Sequence, residues 1–478
     1  MKKLLVGFSF MFSISLCNAQ YDTIHNFNST AGLAPEYCTL AYSASTNLFY
    51  GMTPQGGPSN DGVLFCIHPN GSGFRVLMNF TGANGINPGG SVLLSGKKLF
   101  GMTQKGGLHG FGTVFSVDTT GTGYKDVWDF NNPPSTNGEF PYGDLIMSGY
   151  KLYGMTYGGG TNSFGNIFSV DTGGGGYKDL WDFDFGVATN GANPSGGLTQ
   201  IGGKLYGMTE QGGSNFNGNL FRIDTSGTGF KTLWSFNNAV DSNGGDPYGN
   251  LLLSGKNFYG FTNSGGKHGE GNVFRIDTSG SGYHDIWDFN VAGVDTNGSG
   301  CTGSPLMHKG YLYGMTTQGA KNSDGNVFKV DTNGTHFKDL ADFGGVTGDC
   351  GGNPYGSLAL IGNTVYGMTS VGGQHTDGVI FSYFDTTIVS GVNTIKASTG
   401  AINIYPNPNK GTFTIQSSVV SGQVSVDIYN VLGENVYQSA ISDFNASYSL
   451  SLNVPDGVYF VSLKSEQAIM NSRIVIQR

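Results

Sequence analysis

The sequence has few charges, few cysteines and no long apolar run after its N-terminus. Charged residues make up 12% of the 478 residues, and 33 acidic against 24 basic residues give a net charge of −9. A protein that binds nucleic acid needs a basic face, so this balance excludes nucleic acid as a partner. No apolar run after the N-terminus reaches the ~18 residues of a membrane-spanning helix, so we expect no transmembrane segment.

The N-terminus is typical of a secretory signal peptide. Lys2–Lys3 give a charged start, the apolar stretch follows over residues 4–16, and Ala19 is a small residue before a predicted cut at Gln20. We therefore predict a signal peptide over residues 1–19. Cys17 suggests lipid attachment as an alternative, but the leucine before it is too large for a lipoprotein signal.

Glycine and aromatic residues are abundant, with 81 Gly and 33 Phe, and they follow a repeat. The phrase Tyr50-Gly51-Met52-Thr53 recurs at a spacing of 50 to 54 residues, with one substitution in two of the copies. The glycines of the seven copies are Gly51, Gly101, Gly154, Gly207, Gly260, Gly314 and Gly367. A fixed period near 50 indicates a repeat architecture.

Each repeat contains four short apolar segments that are separated by turn residues. Around Gly260, strand A is Gly249–Leu253, strand B holds the Tyr-Gly phrase, strand C is Asn272–Asp277 and strand D is Tyr283–Phe289. Longer polar loops join D to A and B to C, whereas short glycine turns join A to B and C to D. Short strands joined by turns indicate an all-β fold. A radial array of four-stranded sheets is a β-propeller, and seven copies predict seven blades.

The unit resembles the kelch repeat, in which an aromatic-Gly strand, a strand that ends in Asp and a strand that carries Trp follow one another. It resembles more closely the Gloeo-Verruco (GloVer) tandem repeat of exported bacterial proteins, over residues 21 to about 385. The kelch order implies that strand A is innermost and strand D outermost. On that order the last repeat lacks its strand D, and Tyr21–Phe27 would supply it. We expect the four tryptophans, one per strand D in four units, to pack between blades.

The repeat ends at Asp385, which gives a propeller over residues 20–385. Residues 386–401 are rich in Ser, Thr, Gly and Val and are predicted to be a linker. Alternating apolar residues over 402–478 indicate a small antiparallel β-sandwich.

This C-terminal module resembles the type IX secretion (Por) sorting domain of Bacteroidota. The matching segments are the Tyr-Pro-Asn-Pro opening at 405–408, residues 428–433 and the Pro-Asp-Gly-Val-Tyr segment at 455–459. The resemblance implies that residues 402–478 interact with the type IX secretion machinery. It also implies that the protein is released outside the cell or attached to the outer surface of the outer membrane. An ordinary adhesive sandwich is the alternative interpretation.

Strand alternation places the D–A and B–C loops on one face of the propeller, here called the loop face. Variable loops on a rigid scaffold often carry function, so the loop face is the predicted binding surface. The predicted binding residues are Phe140, Tyr142, Tyr157, Phe164, Phe216, Asp241, Asp246 and Asp295.

The histidines and carboxylates of the loops give no clear indication of a metal or catalytic site. His109, His268 and His375 share one B–C loop position, but they belong to separate blades, too far apart for one zinc ion. We therefore expect neither a metal site nor a cofactor. Loop carboxylates such as Glu210 and Asp377 are numerous, and no spacing singles out a catalytic pair.

Four cysteines follow the predicted signal peptide: Cys38, Cys66, Cys301 and Cys350. Export permits disulfides, and four cysteines allow three pairings. Cys301 and Cys350 both lie at D–A loop ends of adjacent units, so we favour this pair. Cys38–Cys350 competes with it.

These patterns predict a secreted or cell-surface β-propeller that acts as a binding module for a glycan, a surface polymer or another protein, without catalysis. One alternative is an extracellular carbohydrate-active hydrolase or lyase that uses loop carboxylates. Another is a structural surface protein that binds no small ligand.

Overall fold

The computed structural model describes residues 20–131, 137–240, 243–290, 297–344, 350–386, 402–430, 435–465 and 469–478. The predicted signal peptide with Ala19, and residues 387–401 of the predicted linker, lie outside the described residues. The chain divides into two compact units, Met1–Thr386 and Thr387–Arg478. Within the described ranges no helix is long and apolar enough to span a membrane.

The described part of the first unit contains seven four-stranded antiparallel sheets, and each follows one copy of the repeat. Sheet 1 contains β2 (Ala41–Ser43), β3 (Leu48–Thr53), β4 (Val63–Ile67) and β5 (Arg75–Asn79). Sheet 2 contains β6 (Ile86–Ser95), β7 (Lys98–Lys105), β8 (Thr113–Asp118) and β9 (Lys125–Asp129). Sheet 3 contains β10 (Ile146–Ser148), β11 (Lys151–Thr156), β12 (Asn166–Asp171) and β13 (Lys178–Asp182). Sheets 4 and 5 contain β15 (Thr199–Ile201), β16 (Lys204–Thr209), β18 (Asn219–Asp224), β19 (Lys231–Ser235); and β21 (Leu252–Ser254), β22 (Asn257–Phe261), β24 (Asn272–Asp277), β25 (His284–Asp288). Sheets 6 and 7 contain β26 (Leu306–His308), β27 (Tyr311–Thr316), β28 (Asn326–Asp331), β29 (Lys338–Asp342); and β30 (Ala359–Ile361), β31 (Thr364–Thr369), β32 (Val379–Phe384), with β1 (Tyr21–Asn26) at its edge.

Two further pairs of two-residue strands join D–A loops to B–C loops in sheets 4 and 5. They are β14 (Gly191–Ala192) with β17 (Gln211–Gly212), and β20 (Gly244–Gly245) with β23 (Ser264–Gly265). Because each pair bonds the two kinds of loop together, these loops share one face, as predicted.

The N-terminal strand completes the sheet of the last repeat. β1 runs antiparallel to β32, from Tyr21 opposite Tyr383 to Asn26 opposite Val379. The Tyr21 ring stacks on Phe381 with centroids 5.2 Å apart. This pairing covers an edge of β32 that would otherwise expose unpaired backbone groups.

The seven sheets form a closed ring, as short backbone contacts around its centre show. A Cβ atom at Gly143 would lie 1.9 Å from the carbonyl oxygen of Gly196, one sheet further along. Equivalent approaches link sheets 2 through 7, and Gly356 of sheet 7 meets Cys38 of sheet 1 in the same way. The backbone N–H of Thr39 donates to Ser91 Oγ at 2.9 Å, which joins sheet 1 to sheet 2. This ring of sheets is a β-propeller, so the all-β prediction is confirmed.

The repeated Tyr-Gly-Met-Thr phrase is a buried strand whose glycine makes room for an aromatic ring. In sheet 4 a Cβ atom at Gly207 would lie 2.7 Å from the Phe221 ring of the paired strand. The threonine hydroxyl of the same phrase donates to Asn219 Oδ1 at 3.0 Å and accepts the N–H of that residue at 3.1 Å. The phrase is therefore a packing and turn-fixing element that recurs in every copy.

The tryptophans pack between successive sheets, as predicted. Trp181 of sheet 3 stacks on Phe230 of sheet 4 with centroids 4.3 Å apart and planes within 1° of parallel. The other three tryptophans make the same contact, at Trp128–Tyr177, Trp234–Tyr283 and Trp287–Phe337. Between sheets 7 and 1 the pair is His25 with Phe74, at 3.8 Å. Flat ring stacks therefore link the outer strands of neighbouring sheets.

The described residues of the second unit form one antiparallel sheet of five strands. They are β33 (Asn403–Tyr405), β34 (Thr412–Tyr429), β35 (Asn435–Ser451), β36 (Gly457–Lys464) and β37 (Ile469–Ile476). The alternating segments 412–416 and 424–430 both lie in the long β34, where register shifts permit bends. Side chains from both halves of β34 share one buried cluster, so the sheet folds over its own core.

The Tyr-Pro-Asn-Pro opening of this unit is fastened to its last strand. Asn407 Nδ2 donates to the carbonyl oxygen of Arg473 at 2.9 Å, and Asn407 Oδ1 accepts the N–H of Val475 at 2.8 Å. The side-chain amide thus satisfies backbone groups at the edge of β37.

Candidate functional site

A cavity of about 240 Å³ lies at the centre of the propeller ring. Segments at the starts of the innermost strands supply most of its lining, and the ends of β11 and β16 supply the rest. The side chains that line it are Tyr37, Thr39, Tyr142, Asp144, Tyr157, Ser195, Glu210, Tyr248, Asn250, Thr302, Ser304, Tyr355 and Ser357. All these segments belong to D–A loop ends or B–C loop starts, so the cavity lies at the loop face.

Three of the tyrosines in the cavity wall belong to a recurring Pro-Tyr-Gly sequence. Tyr142, Tyr248 and Tyr355 each stand between a proline and a glycine. The residue before each proline has a positive φ, 55° at Phe140 and 52° at Asp246 for example. The glycine after each tyrosine makes the close backbone contact with the next sheet. The turn and the close approach hold the tyrosine at the wall of the cavity.

Four tyrosine rings form a continuous wall. Tyr355 contacts Tyr37 at 5.4 Å between centroids, Tyr37 contacts Tyr142 at 6.5 Å, and Tyr142 contacts Tyr157 at 5.3 Å. The last two contacts are edge-to-face, at 89° and 62°. The four rings therefore contact one another as one continuous aromatic surface in the lining.

Glu210 and Tyr248 form the polar side of the cavity. Glu210 is 9% exposed, and its carboxylate accepts hydrogen bonds from Ser195 Oγ at 2.8 Å and from the Tyr248 hydroxyl at 3.0 Å. Hydrogen bonds to an ionised carboxylate offset part of its desolvation cost. The pair therefore presents a fixed carboxylate to the cavity.

A hydrogen-bonded ring of polar groups forms the floor of the cavity. Asp144 accepts the N–H of Ser91 at 2.6 Å and the side-chain amide of Asn250 at 2.6 Å. The contact between Asn250 of sheet 5 and Asp144 of sheet 3 passes over sheet 4, because the equivalent residue of sheet 4 is Gly197, which has no side chain. A second cavity of about 310 Å³ lies on the other side of this floor, and Asp144 and Asn250 line both cavities.

The charges near the cavity affect its tyrosines. Burial and then the Glu210 carboxylate raise the pKa of Tyr157 and Tyr248. The pKa of Tyr142 is raised by burial, by Glu210 and by Glu36. Burial also raises the pKa of Glu36. The tyrosine hydroxyls therefore stay protonated at neutral pH, where they can donate hydrogen bonds to a ligand.

The structure brings together only two of the eight predicted binding residues, Tyr142 and Tyr157. Phe140 lies outside the lining and contacts Phe111 at 6.4 Å. Asp246 accepts a hydrogen bond from Ser264 at 2.7 Å in the turn before Tyr248. Asp241 and Asp295 lie outside the described residues.

The other two predicted aromatic residues lie in a row on loops of sheets 3 and 4. Phe164 contacts Phe185 at 5.7 Å, and Phe185 contacts Phe216 at 5.5 Å. Phe216 is 60% exposed. Neither Phe164 nor Phe216 lines the central cavity.

Sequence reasoning missed Tyr37, Tyr248, Tyr355 and the role of Glu210. The signal was present in the sequence, because Pro-Tyr-Gly occurs three times at one position of the repeat. The variable middles of the D–A loops obscure this signal, which lies at the loop ends.

The predicted Cys301–Cys350 disulfide is wrong. Cys301 is a free, fully buried thiol, as are Cys38 and Cys66, whereas Cys350 is disulfide-bonded. Cys301 lies in an apolar cluster with Ile286 and Phe289, where burial raises the pKa of its thiol. It occupies the place that proline holds in other sheets, and its side chain packs into the core rather than towards the loop of sheet 7.

The three loop histidines lie apart on exposed loops. Among the described residues, no three His, Cys, Asp or Glu side chains are placed to hold a metal ion.

Family comparisons agree with the repeat. The Gloeobacter/Verrucomicrobia repeat model matches residues 6–218, 148–304 and 195–417, which together cover most of the chain. The chain belongs to this repeat family. Residues 403–477 match the secretion system C-terminal sorting domain. This match indicates export by type IX secretion to the cell surface or the extracellular space, and an interaction with that machinery. No curated protein matches the chain.

Solved structures resemble the chain only distantly. The β-propeller domain of the Trilobed protease from Pyrococcus furiosus, which has an open velcro topology, is 11% identical, with a TM-score of 0.43 over 74% of this chain and 95% of that one. A fungal alcohol oxidase of the AA5 family in complex with copper is 10% identical, with a TM-score of 0.42 over 94% and 98%. TolB from Acinetobacter baumannii is 14% identical, with a TM-score of 0.36 over 60% of this chain and 61% of TolB, so the match spans less than two thirds of that protein.

Proposed function

We propose that this chain is an exported seven-bladed propeller of the kelch type that binds a glycan at the bacterial surface. The central cavity is its binding site, and it takes one or two sugar units. In this proposal residues 1–19 are removed on export, with cleavage between Ala19 and Gln20. Residues 402–478 direct passage across the outer membrane of a member of the Bacteroidota.

The tyrosine wall is the observation that carries the proposal. Sugars present C–H faces that stack on aromatic rings and hydroxyls that bond to fixed polar groups, and both kinds of group line this cavity. Tyr37, Tyr142 and Tyr355 make no hydroxyl hydrogen bond to another described residue, so these donors are available to a ligand. Glu210 supplies a buried acceptor beside them.

A glycan array with the full exported chain tests this function. Tyr142→Ala removes a ring from the middle of the wall, and we expect it to abolish binding to every glycan that the wild type captures. Phe216→Ala is the matched control, because it removes an exposed aromatic ring of the same face outside the cavity. Equal loss in both variants, or retained binding in Tyr142→Ala, would contradict the central cavity as the site.

A glycoside hydrolase is the second candidate, and one pair of carboxylates favours it. Glu36 and Glu210 both raise the pKa of Tyr37 and of Tyr142, so both carboxylates lie near these rings. Burial raises the pKa of the Glu36 carboxyl, whereas the Glu210 carboxylate accepts hydrogen bonds from Ser195, Tyr248 and Gln211. Two carboxyl groups near one bound sugar, one of them with a raised pKa, are what glycosidases use.

Hydrolysis of each captured glycan decides between the two functions. If the chain is an enzyme, Glu36→Gln should abolish the release of reducing ends while leaving binding intact. If no glycan that binds is cleaved by the wild type, the binding role stands alone.

A further inference from the structure

The charge inside the central cavity points to a particular class of ligand. Glu210 lines the cavity and Asp144 lies in its floor. Glu36, outside the lining, precedes Tyr37 in the chain. The lining of the described cavity includes no lysine, arginine or histidine. Five ion pairs occur among the described residues, and none involves these three carboxylates. The field in the cavity is therefore negative, and nothing in its lining offsets it.

The carboxylates differ in what they can offer a ligand. Both oxygens of Asp144 already accept hydrogen bonds within the floor, one from Ser91 and one from Asn250. Glu210 Oε1 accepts hydrogen bonds from the Tyr248 hydroxyl at 3.0 Å and from Gln211 Nε2 at 3.5 Å, whereas Oε2 accepts one, from Ser195 Oγ at 2.8 Å. The second lone pair of Oε2 therefore remains for a ligand. Glu210 is thus the carboxylate best placed to meet a bound group.

The aromatic wall strengthens the same preference. The faces of tyrosine rings carry partial negative charge and attract ammonium groups within about 6 Å of the ring centre. The wall places four rings in contact, in the same cavity lining as Glu210 and Tyr248. A cavity with aromatic walls, a buried carboxylate and no cation of its own favours a cationic ligand over an anionic one.

We infer that the cavity selects a sugar that carries a free, protonated amine, in preference to its N-acetylated or hydroxyl counterpart. This inference rests on the proposed function, since it names the class of glycan for the same site. The ammonium group would lie between the Glu210 carboxylate and the tyrosine wall. Acidic sugars would be rejected, because their carboxylates would face Glu210 and Asp144.

The experiment compares three trisaccharides of the same linkage by isothermal titration calorimetry with the full exported chain. The units are glucosamine, glucose and N-acetylglucosamine. Glucosamine and glucose are nearly equal in size and differ in charge, whereas N-acetylglucosamine keeps the nitrogen in a larger, uncharged group. We expect the glucosamine trisaccharide to bind roughly tenfold more tightly than the other two at low salt. Its affinity should fall when sodium chloride is raised, whereas that of the neutral trisaccharides should not change.

Two variants locate the effect. Glu210→Gln keeps the shape of the side chain and removes its charge, so it should erase the preference for the amine. Glu270→Gln removes an equal charge from a loop of sheet 5 outside the cavity lining and should leave the preference unchanged. If Glu210→Gln fails to fold, the salt dependence of the wild-type affinity for the glucosamine trisaccharide tests whether charge causes the preference.

The outcomes separate the inference from the proposed function. Equal affinity for all three trisaccharides, or tighter binding of a neutral one, overturns the amine preference and leaves the glycan-binding function in place. Failure of all three to bind, together with an empty glycan array, overturns both. Tighter binding of the amine without salt dependence also overturns the inference, because the charge would then play no part.

Discussion

The outer layer of the propeller and its centre use the repeat in opposite ways. Among the described residues the same outer contact recurs at five junctions, with an aromatic residue of one strand D stacked on the first aromatic residue of the next. At the centre one position of the repeat holds different residues. Around the ring they are Tyr37, Gly89, Tyr142, Ser195, Tyr248, Thr302 and Tyr355.

This difference has a physical origin. Each junction in the outer layer involves only two neighbouring strands, so the same pair of side chains can pack there independently of the other junctions. At the axis seven segments meet in one small space, and seven identical tyrosines would exceed a cavity of about 240 Å³. Small residues in sheets 2, 4 and 6 leave room for the rings of the others. The repeat sets the scaffold, and departures from the repeat set the site.

Removal of the closing strand should produce the largest effect. Deletion of residues 20–27 removes Tyr21 and the fully buried Phe27 and exposes the edge of β32. We expect the melting temperature to fall by roughly 10 °C or more. Asp22→Ala, an exposed change in the same strand, is the control and should leave the melt unchanged. A deletion variant that melts like the wild type would show that the ring does not depend on this strand.

A methyl group at the centre should cost more stability than the same group at an exposed turn. Gly143→Ala places a Cβ atom 1.9 Å from the Gly196 carbonyl oxygen, whereas Gly203→Ala meets no atom within 4 Å. We expect Gly143→Ala to lower the free energy of unfolding by about 2–4 kcal/mol. Denaturant titration of both variants measures this difference. Similar stabilities would indicate that the central backbone contacts can relax.

The outer layer should also respond to pH. Burial, together with a second aspartate three residues further along, raises to about 7 the pKa of Asp126, Asp179, Asp285 and Asp339. Unfolded aspartate titrates near 3.9, so between about pH 4 and pH 7 the folded chain binds more protons than the unfolded chain. The free energy of unfolding should therefore fall as pH rises through this window.

Thermal melts from pH 4 to pH 8 measure that response. Replacement of these four aspartates by asparagine removes the titrating groups and should flatten the profile. Sheets 1 and 4 already hold Val76 and Thr232 at this position. A wild-type profile that rises between pH 4 and pH 7 would contradict the assignment.

The smallest effect should come from a single hydroxyl at the centre. Tyr248→Phe removes the hydrogen bond to Glu210 and leaves the ring in place. We expect a loss of about 0.5–1.5 kcal/mol in the free energy of unfolding, because one acceptor loses one donor. Tyr150→Phe, at a position that is 86% exposed, should be neutral. An equal response of both variants would show that the hydrogen bond contributes no net stability.

Sequence reasoning predicted the fold well and the site poorly. The seven copies of Tyr-Gly-Met-Thr gave the period, and glycine turns gave the all-β class. The tryptophan spacing correctly predicted packing between sheets. The site was harder because Tyr37 and Tyr355 are 318 residues apart in the chain, and only closure of the ring brings their rings to 5.4 Å.

Patterns among neighbouring residues were enough to predict the repeat, the strands, the turns and the resemblance of the C-terminal module to a sorting domain. The tertiary structure alone decided which residues share the axis, that Asn250 reaches past Gly197 to Asp144, and that Cys301 is buried as a free thiol. The reason is geometric. Strand and turn preferences act over a few residues, whereas a central cavity exists only when seven separate segments converge.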